Sequence, residues 1–252
     1  LDRLRQSYGL GDRVHDWFRS YLSGRFQSVR CGVTSSNPTL LVCGVPQGSV
    51  LGPILFLLYT ADLPGLIRER DLDPHLYADD TQIYGYCQPG TWSSLQTRTS
   101  DCITDVAAWM RSNRLQLNAD KTEVIWCTSA RRQRQIPTAP FVIGTDVVTP
   151  VSSVRDLGIY IDSDLSMTTH ISKTVSACFA MLRQIRSIRR SVTRPVLQSL
   201  VAALVLTRLD YGCTTLAGLP ARQLNRLQSI LNAAARLVYG ARRSEHISPL
   251  LR

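Results

Sequence analysis

Tyr77-Ala78-Asp79-Asp80 sets two carboxylates side by side in a stretch of otherwise apolar and aromatic residues. Two such groups at about 4 Å repel by roughly 4 kcal/mol at an effective dielectric near 20, so a divalent cation between them readily accounts for the pair. Mg²⁺ is the natural guest, because it seeks oxygen ligands and is commonly held by one or two carboxylates together with substrate phosphates. His75-Leu-Tyr-Ala78 and Thr81-Gln-Ile-Tyr84 read as short strands meeting at an Asp-Asp connection, which predicts a β-hairpin with the acids at its tip. Asp is a common turn residue, and taken alone the pair also describes an ordinary polar hairpin tip.

A second motif lies upstream, in Gly44-Val-Pro-Gln-Gly-Ser-Val-Leu-Gly-Pro53. Gly44, Gly48 and Gly52 permit positive φ and close approach of backbone, Pro46 and Pro53 stiffen the loop, and Ile54-Leu-Phe-Leu-Leu-Tyr-Thr-Ala-Asp62 continues as a buried apolar helix. A glycine-rich loop feeding a helix N-terminus offers backbone N–H groups and a positive dipole end to an anion. By itself it is equally a plain loop leading into a helix, capped by Ser49 or Gly52.

Taken in order, Pro46-Gln47-Gly48, an apolar helix and the Tyr-Ala-Asp-Asp hairpin resemble the palm of the reverse transcriptases. The run from Gly44 through Pro53 into Ile-Leu-Phe resembles, more narrowly, the LINE-type, non-LTR retrotransposon branch, of the jockey-like or chicken-repeat-like kind. Its Ser49-Val-Leu-Gly-Pro53 continuation argues against an intron-maturase or telomerase relative. The likeness covers nearly the whole chain. Trp17-Phe-Arg-Ser-Tyr-Leu-Ser-Gly-Arg25 resembles the segment before the template loop, Leu115-Gln-Leu-Asn118-Ala-Asp-Lys121-Thr-Glu-Val the motif after the palm helix, and Val154-Arg-Asp-Leu-Gly158-Ile-Tyr-Ile161 the hairpin that holds a primer terminus.

The resemblance implies an RNA-directed DNA polymerase working by two-metal nucleotidyl transfer, with two Mg²⁺ ions, an RNA template, a DNA primer and deoxynucleoside triphosphates. It implies that Asp79 is the main metal ligand and catalytic carboxylate and Asp80 the auxiliary one. Pro46, Gln47, Gly48 and Tyr77 would position template or nucleotide, and Lys121 would protonate the leaving pyrophosphate. Leu157, Gly158 and Tyr160 would grip the primer. The ordinary alternatives are a solvated turn lysine before a strand at 123–127, and a half-buried strand with Gly158 at a bulge. Lysine is scarce, only Lys121 and Lys173 beside 27 arginines, which draws attention to both.

One family feature is expected to be missing. The first catalytic carboxylate of such enzymes lies on a strand upstream of the helix that residues 1–22 predict, and Asp2, Asp12 and Asp16 all fall within that helical pattern beside Leu4, Tyr8, Val14, Trp17 and Phe18. The chain reads as a fragment, without the upstream fingers and palm segment or the endonuclease domain of a parent polyprotein, and is expected not to polymerise alone. The rival reading is a non-catalytic nucleic-acid-binding relic of such an element.

Composition bounds the rest. With 252 residues and 44% apolar content, the chain can bury a sizeable core. Its longest apolar runs, at 50–59 and 196–206, fall short of the ~20 residues of a membrane span, so no membrane partner is expected, and the reading is intracellular, nuclear and cytoplasmic. Seven cysteines at 31, 43, 87, 102, 127, 178 and 213 show no Cys-x-x-Cys spacing and are expected to be reduced, mostly buried thiols.

Charge divides the chain. Residues 1–166 carry 16 basic and 17 acidic side chains, whereas residues 167–252 carry 13 basic and 2 acidic, a net of +11. That last third predicts helices at 168–190, 193–209 and 220–239, with Arg183, Arg186, Arg189 and Arg190 along one side of the first. A nucleic-acid backbone is the matching counterpart, since a merely solvated face carries mixed signs. The predicted fold class is α+β: an antiparallel palm sheet backed by helices, including one at 94–118, followed by a helical thumb. The predicted divisions are a connecting helix and hairpin over 1–43, palm with template loop and acidic hairpin over 44–130, end of palm and primer-grip hairpin over 131–166, and basic thumb over 167–252.

Overall fold

The computed structural model describes residues 1–45, 48–143, 146–242 and 244–250. The chain forms two compact units, Leu1–Leu117 and Asn118–Arg252.

In the first unit, helices α1 (Asp2–Tyr8) and α2 (Asp12–Leu22) replace the single helix expected over 1–22. Gly9 ends α1 in the left-handed region at φ 64°, with its N–H turned back onto the carbonyls of Leu4 and Arg5, the usual way a glycine stops a helix. A long hairpin follows, in which β1 (Arg25–Gln27) pairs with β4 (Thr39–Leu41) and encloses β2 (Arg30–Cys31) and β3 (Thr34–Ser35). Helices α3 (Gly52–Thr60) and α4 (Leu63–Arg68) lead into the hairpin β5 (Asp73–Tyr77) and β6 (Asp80–Tyr84), and α5 (Trp92–Ser112) closes the unit. The face of α5 expected to pack does so, with Leu95, Cys102, Ile103 and Val106 buried beside Leu63 and Ile67 of α4.

Polar ties fix the ends of these helices. Arg70 pairs with Asp105 at 2.6 Å and with Asp101 at 3.7 Å, joining the end of α4 to α5. Arg3 of α1 bonds the Tyr59 carbonyl, Asp62 at 3.2 Å and Asn113 at 2.9 Å, while Tyr8 donates to the Leu58 carbonyl. These contacts cover only the C-terminal end of α3. Its expected burial therefore fails over the rest: Ile54 and Leu57 are each more than half exposed, because an all-round apolar helix buries only what its neighbours cover.

In the second unit, β7 (Phe141–Ile143) pairs with β8 (Asp146–Val148), and β9 (Ser153–Asp156) with β10 (Ile159–Asp162). The strand expected at 123–127 is reduced to a single parallel bridge, Ile125 to Val151, since an apolar run becomes a strand only where a neighbour offers a full ladder. Helices α6 (Thr168–Ile188), α7 (Arg194–Val201), α8 (Thr207–Asp210) and α9 (Ala221–Tyr239) complete the chain. The helix expected over 193–209 is interrupted by a π-helical turn at Ala202–Leu206. Helices α6 and α9 run parallel: Gln223 bonds Thr168 and Arg226 bonds Ser172 at their starts, and Arg189 lies against Gly240 at their ends. Cys178, Leu182, Ile185, Leu197, Val205, Ile230 and Leu237 form the core between them. The class is thus α+β, with antiparallel pairing confined, among the described residues, to five two-stranded units.

Asp162 fixes the start of α6. It is buried, and its carboxylate accepts the Thr169 N–H at 3.0 Å and the Ser166 hydroxyl at 3.4 Å. Burial pushes its pKa up, but hydrogen bonds from Thr169 and Ser166 outweigh that and hold it below the usual carboxylate value. A depressed folded-state pKa gives stability that is present above the unfolded value, about 3.9, and is lost as pH falls through the folded one. Asp162→Asn should therefore cost about 1 kcal/mol at pH 7. The gap to wild type should narrow as pH falls below the unfolded value of about 3.9 and through the folded one, as read by denaturant melts; a gap independent of pH would remove the charge from the argument.

All seven cysteines are free, but only Cys102 and Cys178 are buried; Cys31, Cys43, Cys87, Cys127 and Cys213 are exposed. The expectation of mostly buried thiols is corrected, because these five sit on hairpins, loops and a 3₁₀ turn rather than on the packed faces of α-helices. Burial pushes the Cys102 thiol up to about 11 and raises Cys178 as well. Burial raises the Cys127 thiol too, so maleimide at pH 7 should label Cys31, Cys43, Cys87 and Cys213 rapidly, Cys127 more slowly, and Cys102 and Cys178 only on unfolding, counted by intact mass.

Candidate active site

The register of the acidic hairpin decides which side chains share a face. Tyr77 pairs with Asp80, His75 with Gln82 and Asp73 with Tyr84, so these six point one way, while Pro74, Leu76, Thr81 and Ile83 point the other. The second set is half-buried, and of the first only Gln82 is not exposed. The hairpin is thus a two-faced ribbon with its chemistry on the open side.

The turn differs from the expected Asp-Asp connection by one residue. Ala78 and Asp79 form it, and Asp80 already belongs to β6, directly opposite Tyr77. Ala78 has φ 53°, which an L-residue with a Cβ seldom adopts, so the tip stores local strain. Asp79 therefore projects from the turn and Asp80 from the exposed face, both exposed and neither in an ion pair among the described residues. Two adjacent hard-oxygen donors left free of cationic side chains fit a divalent cation. No third metal-ligating side chain joins them among the described residues.

In the glycine-rich loop, Gly44 and Gly48 take φ 79° and 80°, as their glycine character predicts, whereas Gly52 is simply the first residue of α3, with Pro53 behind it. Pro46 and Gln47 lie outside the described residues. Lys121 ends a short 3₁₀ turn, Ala119–Lys121, in the second unit and is exposed.

The second hairpin turns at Leu157-Gly158, both at positive φ, 43° and 88°. Asp156 pairs with Ile159 and Arg155 with Tyr160. The two-residue turn leaves no bulge at Gly158. The Tyr160 ring lies 5.9 Å from the Arg155 guanidinium and 5.7 Å from the Lys173 ammonium. Neither cation was singled out as a partner of Tyr160 from sequence, although alternation across a two-residue turn would have placed Arg155 beside it.

Arg183 and Arg186 stand on α6, and Arg189 and Arg190 in the 3₁₀ turn that follows; all four are exposed. None of these four arginines is in an ion pair among the described residues. Among the described residues no helix is long and apolar enough to cross a membrane.

An α+β chain that exposes an acid pair at a strained hairpin tip and gathers exposed arginines on α6 and its terminal turn has the makings of a protein that works on nucleic acid. Residues 1–161 match the family model of reverse transcriptase (RNA-dependent DNA polymerase), and the chain belongs to that family. It is 29% identical over 230 residues to the probable RNA-directed DNA polymerase from transposon BS of Drosophila melanogaster, covering 87% of this chain and 25% of that protein. It is 26% identical over 239 residues to the probable RNA-directed DNA polymerase from transposon X-element of the same species, covering 88% and 24%. The RNA-directed DNA polymerase from mobile element jockey of Drosophila funebris is 26% identical over 172 residues, covering 65% and 18%. The chain thus spans about a quarter of the length of the first curated relatives it matches. No solved structure matches it.

Proposed function

We propose that this chain is the palm and thumb portion of the RNA-directed DNA polymerase of a non-LTR retrotransposon, copying an RNA template from a DNA primer with deoxynucleoside triphosphates. The observation that carries the reading is the hairpin tip, where Asp79 and Asp80, within the segment matched by the family model, are adjacent, exposed and in no ion pair among the described residues. Asp79 and Asp80 would hold Mg²⁺, which when bound activates the primer 3′-hydroxyl and neutralises charge on the departing pyrophosphate. Tyr77, directly across from Asp80, would lie under the reacting nucleotide. Gly48, with Pro46 and Gln47, would set the template or the incoming base, and Lys121 would give a proton to the leaving group. Leu157, Gly158 and Tyr160 would hold the primer end, and the arginines of α6 would hold backbone phosphates. Such an enzyme would work in nucleus and cytoplasm.

The test is a Mn²⁺ titration of the isotope-labelled chain, since a paramagnetic ion broadens only the amides near its seat. Residues 77–81 should broaden first, and Asp79→Asn with Asp80→Asn should abolish this selectivity. Broadening spread evenly over the acidic surface would defeat the reading of the tip as a metal seat.

A further inference from the structure

The turn at Leu157-Gly158 is held from outside. Positive φ at both central residues makes it a type I′ turn, whose favoured sequence is Asn-Gly. Leucine in the first position is strained, and such strain persists only where surrounding groups hold it. The hydroxyl of Tyr211, which ends α8, donates to the Leu157 carbonyl, and its ring lies against Gly158 so closely that a Cβ there would sit 3.2 Å from Cε1. Tyr211 is 55% exposed, so burial does not explain an aromatic residue at this place; its contacts to the turn do. The next residue, Gly212 at φ 70°, brings the backbone up to Ile159, which packs on Met167, Ile171 and Leu216 beneath α6.

We propose that Tyr211 is a positioning residue: a latch from the basic helices that fixes the 157–158 turn, and through it the primer end, in one place. The proposal rests on the polymerase reading above. It makes the grip on the primer terminus depend on a side chain some fifty residues away, carried by the helical bundle that would hold the phosphates. The turn and the bundle then move as one body. With the latch open, the strained leucine relaxes and the tip loses its fixed position, while the core of α6, α7 and α9 is untouched, since Tyr211 takes no part in it.

The experiment uses the 252-residue chain with Tyr211→Phe, which keeps the ring and removes one hydroxyl. Amide hydrogen exchange at 156–159 should rise about fivefold, the size of one lost hydrogen bond, with exchange in α6 and α9 unchanged. Binding to a duplex with a recessed 3′ end should lose its advantage over a blunt duplex of the same length, a preference a merely structural residue would not alter. Leu157→Asn in the Tyr211→Phe background should restore slow exchange, because an Asn-Gly pair favours this turn unaided. Unchanged exchange in Tyr211→Phe overturns the latch. Faster exchange with the end preference intact overturns its role at the primer while leaving the polymerase reading standing. A wild-type chain with no preference for a recessed end overturns that reading, and the proposal with it.

Discussion

Asp79→Asn, placed in a longer chain that extends primers and contains these residues, is expected to abolish extension while template binding stays within about twofold of wild type. The side chain projects from an exposed turn and is in no ion pair among the described residues, so its loss should leave folding alone. Asparagine keeps the shape and one oxygen but removes the charge that would hold the metal. An interaction needed in the transition state and little used in docking lowers kcat rather than raising Kd. A loss of at least about 10³-fold, about 4 kcal/mol in the barrier, is the expected scale. Asp80→Asn should cost less, since Asp80 is the auxiliary ligand. The 252-residue chain alone should give no extension above background, because its described residues gather two carboxylates at the tip and no third. Equal losses of binding and rate in Asp79→Asn would make the residue structural, and extension by the short chain would show that two acids suffice.

That the acidic hairpin could be read from sequence, and its register missed by one residue, has a single cause. Aromatic and aliphatic residues in His75-Leu-Tyr-Ala78 and Thr81-Gln-Ile-Tyr84 mark two short strands. Turn chemistry then points to Asp-Asp as the connection, because Asp accepts left-handed backbone more readily than Ala does. The structure puts the positive φ on Ala78 instead, which frees Asp80 to start the strand opposite Tyr77. A strained choice of this kind, at a site where function is suspected, is where local rules are expected to fail.

Other departures have other sources. The break at Gly9 was legible in its two glycines, Gly9 and Gly11, and was overridden by the apolar period running through both helices. The π turn at Ala202–Leu206 has no sequence signature, since it depends on how Val205 reaches the core beside Cys178. The segment 123–127 has strand composition, but strand formation needs a neighbour, and among the described residues only Val151 supplies one. The arginines were legible because charge needs no tertiary context to be counted.

The arginines carry the last large effect: affinity of this chain for nucleic acid should fall steeply with salt, and the fall should trace to α6. If about four to six phosphates are neutralised, log K should decline against log[salt] with a slope of roughly −3 to −5, at about −0.7 to −0.9 per phosphate. Arg183, Arg186 and Arg190 are the residues to change. All three are exposed on α6 and its terminal turn, and none has an ion pair among the described residues. Arg189 is left in place because it packs against Gly240, and Arg194 because its guanidinium lies 4.4 Å over the ring of Tyr239, so either change would disturb packing as well as charge. Replacing the three by Gln should flatten the slope by about two to three units, one for each phosphate released. Different template sequences should lose affinity alike, because phosphate contacts carry no sequence information. If the triple variant keeps the wild-type slope, or binding survives high salt and follows sequence, the nucleic acid lies elsewhere on the molecule and the positive excess of residues 167–252 needs another explanation.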